Sequence, residues 1–271
     1  MPVDETPSHS DGLKVINAGL FRMATKSMAR AYITLGLKTH HGLLEDVTES
    51  PWALIEAAAE ATWPNVPGAS TRPPHTRADW DKIWGAYDAV TDLASPFALE
   101  LIKAYPEAKV VIVQRDFDSW WPSFRAQIRD TVMTEPMSSI YAFITSTFLG
   151  IRPVHATKKL ILGFFNAKTK SEVNEARARE VYDAYFRDIR KLVPEERRLE
   201  YKMGSGWKPL CAFLDVEEPD VAFPRENDRA LHSVENESRT KKFIVNTMKV
   251  TLPWLLGAAV VGAAWMAVRE V

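Results

Sequence analysis

Hydrophobic and polar positions follow two rhythms along this chain: short unbroken apolar runs, and longer stretches with apolar residues every third or fourth place. LKVINA (13–18) and KVVIVQ (109–114) are runs of the first kind. A run that stays apolar and β-branched between turn signals reads as a strand covered on both faces. AVTDL (89–93) predicts a shorter buried strand ending at Asp92, and RLEYKM (198–203) predicts the last strand. The second rhythm predicts helices from Thr25 to about Leu35 and over PWALIEAAAEA (51–61), with Pro51 in its first turn. ADWDKIWGAY (78–87) is also helical, with Trp80, Ile83, Trp84 and Tyr87 on one face. Ser95 and Pro96 read as the cap and first turn of a further helix. Most of 118–170 reads as helix, and 171–193 as a long amphipathic one.

Strands alternating with helices predict an α/β fold, a three-layer parallel sheet flanked by helices. Ligands in such sheets bind beyond the C-terminal strand ends. That rim would hold the turn after the first strand, Asp92 and Arg115.

Composition narrows the function. The 271 residues, with 46% hydrophobic and 25% charged, suit one sizeable core. A formal net charge of −1 argues against nucleic-acid partners, which require a basic face. The one cysteine, Cys211, offers neither a disulfide framework nor a thiolate metal site, so no metal is expected.

The chain ends require separate readings. Residues 1–12 are polar and acidic and predict a disordered lead-in. Residues 251–268 carry no charge, with Trp254 and Trp265 near the two ends. A bilayer span takes about 20 apolar residues, with a lower limit near 17. The expectation is a single-pass C-terminal membrane anchor over 249–269, joined by a charged linker (232–248) to a body of 13–231 that faces the cytosol.

Candidate chemistry starts at residues 15–28, VINAGLFRMATKSM. Strand, Gly-turn and helix in that order form an anion cradle, because turn N–H groups and a helix N-terminus converge. Gly19, Arg22, Thr25, Lys26 and Ser27 belong to it. The stretch is not a Walker A loop, since Thr25 stands where Gly should precede Lys. Arg115, after the central strand, and Ser123, eight positions on, could bracket a second phosphate as guanidinium fork and hydroxyl. Alternatively, Arg115 pairs with Asp116 or Asp118.

These segments, taken in order, resemble the P-loop sulfotransferase superfamily. The similarity is to the branch common in fungi and bacteria whose first motif reads G-x-P-R-T-G-T-x-S-L, here Gly19-Leu20-Phe21-Arg22-Met23-Ala24-Thr25-Lys26-Ser27-Met28. LGLKTHHGLLE, DWDKIWGAYDAVTDLASPF, AYPEAKVVIVQRDFDSWWPSF, LVPEERRLEYKMGSGWKPLCAFL and FPREND extend the likeness over about residues 13–230. The resemblance implies sulfuryl transfer from 3′-phosphoadenosine 5′-phosphosulfate to a hydroxyl or amine. It implies that Gly19, Arg22, Thr25, Lys26 and Ser27 hold the 5′-phosphosulfate, with Arg22 steadying the leaving phosphate. Arg115 and Ser123 would then hold the 3′-phosphate. Asp92 is the first choice of general base and His41 the second. Each also has a structural reading, Asp92 as a hydrogen-bonded carboxylate and His41 as a packed ring before Gly42.

Three positions depart from the motif: Phe21 for Pro, Met23 for Thr and Ala24 for Gly. Ala24 is expected to resist a positive φ, and Met23 to bring apolar bulk to the cradle. Two functions follow. One is a membrane-anchored sulfotransferase acting on a lipophilic small molecule, as in secondary metabolism. The other is a repurposed, donor-independent relative that catalyses a cyclisation or isomerisation, or only binds a ligand. Trp80, Trp84, Trp120 and Trp121 suit either an apolar pocket or the core.

Overall fold

The computed structural model describes residues 12–225 apart from 68, 70 and 71. Five parallel strands form one sheet in the order β2-β3-β1-β4-β5. They are β1 (Val15–Asn17), β2 (Thr39–His40), β3 (Ala89–Val90), β4 (Lys109–Ile112) and β5 (Arg198–Glu200). Chain order leaves β1 leftward to β2 and β3, then crosses to β4 and β5. The strand ends flanking β1 are therefore the switch point, where a crevice opens in such sheets.

Alternation within the strands supplies two cores. Val15, Ala89 and Val111 turn to one face, against Met28, Ala31 and Tyr32 of α1 (Thr25–Thr34) and Trp207, Leu210 and Cys211 of α10 (Trp207–Leu214). Ile16, Val90, Val110 and Ile112 turn to the other, larger core. That core takes in α2 (Trp52–Thr62), α3 (Arg77–Trp84), α4 (Ala98–Ala104), α5 (Phe117–Phe124), α8 (Pro153–Phe164) and α9 (Glu175–Leu192). Short α6 (Asp130–Met133) and α7 (Met137–Phe148) complete the α-helices among the described residues. The expected α/β sheet with helices on both faces is thus the observed one.

Trp80 and Trp84 stack 5.7 Å apart inside the large core, and Trp120 and Trp121 are buried as well. All four are packing residues. Glu56 and Glu60 on α2 pair with Lys159 on α8, and Arg152 adds a bidentate bond to Glu56. The two cations hold Glu56 down to about 2 against the desolvation that opposes them.

Three expectations are corrected. The strand at 89–93 stops at Val90, and Asp92 instead opens a 3-10 turn, Asp92–Phe97, with φ 58°. Ser95 caps no helix, because its hydroxyl donates to the Asn17 carbonyl at 3.0 Å and α4 begins only at Ala98. The membrane localisation is also corrected: among the described residues no helix is long and apolar enough to cross a membrane. The longest, α9, has 18 residues but carries charges on every turn. The span read over 249–269 lies outside the described residues.

Candidate active site

The turn between β1 and α1 is shaped by two left-handed residues, Arg22 at φ 70° and Ala24 at φ 56°. Ala24 therefore adopts the conformation for which the motif has glycine, and its Cβ has not prevented the turn. Phe21 and Met23 point into the large core, 6% and 1% exposed. The expected apolar bulk at the cradle is absent for that reason. The Trp120 indole donates to the Phe21 carbonyl at 2.8 Å, and the Met23 N–H to the Leu20 carbonyl at 3.0 Å. Thr25, Lys26 and Ser27 form the first turn of α1 and are buried. Gly19 leaves the strand so close to its neighbours that a Cβ would stand 3.2 Å from Val113.

Arg22 meets the α5 segment directly. Its Nε donates to the Ser123 hydroxyl at 3.2 Å, and Arg115 approaches the Arg22 carbonyl at 3.4 Å. Asp116 caps α5 by accepting from the Ser119 N–H, and Asp118 pairs with Arg179. The two acids beside Arg115 are thus engaged elsewhere, which removes the ion-pair alternative. The Tyr182 hydroxyl holds the Arg115 carbonyl. Burial pulls the Arg22 guanidinium below its usual value; Arg115 adds to the effect and Asp92 opposes it. Two cations in one crevice, one of them desolvated, favour an anion between them.

On the other side of the turn, His41 is buried, with Nε2 3.2 Å from the Thr25 hydroxyl. The Leu43 N–H donates to Nδ1 at 3.0 Å, which in the neutral ring leaves the proton on Nε2, facing Thr25. The Asp92 carboxylate stands 3.9 Å from Nδ1 with its side chain 12% exposed. Gly42 permits this approach, since a Cβ there would lie 3.0 Å from Asp92 Oδ2. His41 ties the turn to the end of β2, while Asp92 keeps a path to solvent.

All nine residues singled out from the sequence, Gly19, Arg22, Thr25, Lys26, Ser27, His41, Asp92, Arg115 and Ser123, thus lie on the turn or on the strand ends and helix flanking it. Ser123 meets Arg22 as well as following Arg115 in sequence, so the two expected phosphate subsites form one continuous patch. Sequence reasoning missed the supports. The Tyr185 hydroxyl donates to the Ser95 carbonyl at 2.8 Å, and the Tyr32 hydroxyl to Asn17 Oδ1 at 3.0 Å. Both bonds join residues distant in sequence, and no local pattern signals them. Among the described residues no group of three or more His, Cys, Asp or Glu is placed to hold a metal ion.

A parallel sheet with a strand-turn-helix unit at its switch point, flanked by Arg22 and Arg115, is the class that fold and site define. Residues 14–232 match the sulfotransferase domain, and the chain belongs to that family. It is also similar to the "Ava biosynthesis cluster protein M" of Aspergillus versicolor, at 29% identity over 213 residues, 78% of this chain and 80% of that protein.

Proposed function

We propose that the protein is a transferase that moves a sulfuryl group from 3′-phosphoadenosine 5′-phosphosulfate to a hydroxyl or amine of a lipophilic small molecule. The observation that carries this reading is the meeting of Arg22, Arg115 and Ser123, from two distant segments, at the N-terminus of α1. The family generally uses this donor. The similarity to a biosynthesis-cluster protein supports a small-molecule acceptor.

In this reading the turn and the first residues of α1, Thr25, Lys26 and Ser27, bind the 5′-phosphosulfate. Arg22 lies where negative charge grows on the departing phosphate, and fixed cations at such a point lower the barrier. Arg115 and Ser123 bind the 3′-phosphate. The acceptor oxygen or nitrogen attacks sulfur as the bond from sulfur to the phosphate oxygen breaks, and Asp92 takes the acceptor's proton. His41, with Nδ1 occupied by the Leu43 N–H, orients Thr25 instead of serving as that base. A second reading, donor-independent acid–base chemistry, is favoured by the proximity of Asp92 and His41, which requires no nucleotide.

Calorimetric titration of the full chain with 3′-phosphoadenosine 5′-phosphate tests the first reading. Binding is expected, and Arg115→Ala should weaken it by about 1.5–3 kcal/mol, roughly tenfold to a hundredfold. Ser123→Ala should cost less. A wild-type chain that binds no nucleotide, or turnover that ignores added donor, selects the second reading.

A further inference from the structure

Ser123 has a polar neighbour that the proposed function leaves without a role. One turn further on, Gln127 is exposed, and its Nε2 donates to the Ser123 hydroxyl oxygen at 3.3 Å. Arg22 Nε donates to the same oxygen at 3.2 Å, from a residue 101 positions away in the chain. A hydroxyl carries two lone pairs and one hydrogen, and neither a guanidinium nor an amide NH2 group can accept. Both Ser123 lone pairs are therefore taken. Its hydrogen must point in the remaining direction, where no protein atom among the described residues accepts it. Arg115 stands beside this group, with Nη1 3.4 Å from the Arg22 carbonyl. The local backbone is unusual as well. Pro122 lacks the N–H that the interior of a helix requires, and the chain leaves α5 through a single π-turn, Arg125–Arg129. That wider turn closes with the Asp130 N–H on the Arg125 carbonyl, and Gln127 lies at its middle. Single π-turns inside α-helices are frequent at functional sites.

We propose that Gln127 is a positioning residue that makes Ser123 an obligate donor, and that it thereby selects a phosphate over a hydroxyl at the ribose 3′ position. The inference rests on the nucleotide reading given above. A phosphate oxygen only accepts, so it matches a hydroxyl that can only donate, and the guanidinium groups of Arg22 and Arg115 reinforce the match. A ribose 3′-hydroxyl brings a hydrogen of its own, which finds no lone pair on Ser123. It is held there through its oxygen alone. Without Gln127 one lone pair of Ser123 is released, and the serine then serves either group. Gln127 thus acts through Ser123 and sets which chemical group that serine prefers.

The test is calorimetric titration of the full chain with 3′-phosphoadenosine 5′-phosphate and with adenosine 5′-phosphate, which differ only at the 3′ position. Gln127→Met keeps the length and helix propensity of the side chain and removes the donor. It should weaken the 3′-phosphorylated ligand about three- to tenfold, the size of one hydrogen bond, and leave adenosine 5′-phosphate unchanged. Gln127→Glu places an acceptor in the same position, so the Ser123 hydrogen turns to the carboxylate. Its loss should reach about tenfold to a hundredfold, again greater for the 3′-phosphorylated ligand. Thermal midpoints of both variants should match the wild type, because Gln127 is exposed. Equal losses for the two ligands would make Gln127 a structural residue, and an unaltered preference in Gln127→Met would equally overturn the inference. The expected change in preference together with turnover that ignores added donor would remove the sulfuryl-transfer reading and still support this one. If the wild type binds neither nucleotide, inorganic phosphate is the probe. The 15N shift of the Gln127 side-chain amide should then move on its addition in the wild type and not in Arg115→Ala; no movement overturns the inference.

Discussion

Ala24 holds φ 56° and ψ 26° at the start of α1, a region that costs an L-residue roughly 1–2 kcal/mol. The tertiary frame imposes this conformation, with Phe21 and Met23 buried on one side and the Trp120 indole fixing the Phe21 carbonyl. Ala24→Gly should remove the penalty, offset in part by the extra freedom glycine gives the unfolded chain, for a net gain of about 0.5–1 kcal/mol. Thermal denaturation should then shift upward by about 1–4 °C, and an unchanged or lowered midpoint would show that the loop is not strained at this residue. Asp92 also sits at positive φ, 58°, with its carboxylate held near His41 by the room Gly42 leaves. Such strain collects at working residues. Under the proposed function, Asp92→Asn keeps the shape and removes the proposed base, so kcat in the sulfuryl-transfer assay should fall by about 10²–10⁴-fold with nucleotide affinity retained. A fall in affinity alone would make Asp92 a binding residue.

At the scale of elements, the turn between β1 and α1 is held by helices that follow it distantly in the chain. Trp120 on α5 donates to the Phe21 carbonyl, and Tyr185 on α9 reaches the Ser95 and Ala18 carbonyls at 2.8 and 3.4 Å. Trp120→Phe keeps the ring packing and deletes one buried donor, which should cost about 1–3 kcal/mol, because the carbonyl is left unsatisfied. Urea unfolding measures that loss, and nucleotide affinity should drop with it; equal affinity would separate the bond from the site. Strand β4 and helix α1 were legible because their patterns are local, a β-branched run from Val110 to Ile112 and helical apolar spacing from Thr25, whereas the left-handed residues of the turn between β1 and α1 are imposed from outside it. The end of β3 was not legible. AVTDL has a strand-like composition, but Ser95 spends its hydroxyl on Asn17 across the sheet and Asp92 turns left-handed, and neither demand is local. That the candidate residues would gather on one rim could be read in the sequence, but their pairing could not. Ser123 following Arg115 suggested partners, and only packing of α5 against the turn shows Arg22 taking that hydroxyl.

Across the whole molecule, protonation links the sheet edge to stability. His40 is fully buried between Trp84 and Tyr87, with ring centroids 5.9 and 5.3 Å away, and burial lowers it to about 3. An unfolded imidazole takes its proton near 6.5. Between these values the unfolded chain binds the extra proton, so stability is intact above about pH 6.5 and is lost as pH falls towards 3, with a slope of up to about 1.36 kcal/mol per unit. Urea unfolding from pH 7 to 4 should show that slope, and His40→Phe should flatten it; an unchanged slope would assign acid sensitivity to other groups. His40 also ends β2, which has two residues and pairs with a β3 of two, whereas β4 has four and β5 three. The sheet is thus lopsided about β1: few ladder bonds on the side of His41 and Asp92, more on the side of Arg115. Local opening follows the weaker ladder. Amide protons at 39–40 and 89–90 should therefore exchange before those at 110–112, and hydrogen exchange followed by mass spectrometry checks it: the crevice should open first beside His41 and Asp92 and last beside Arg115.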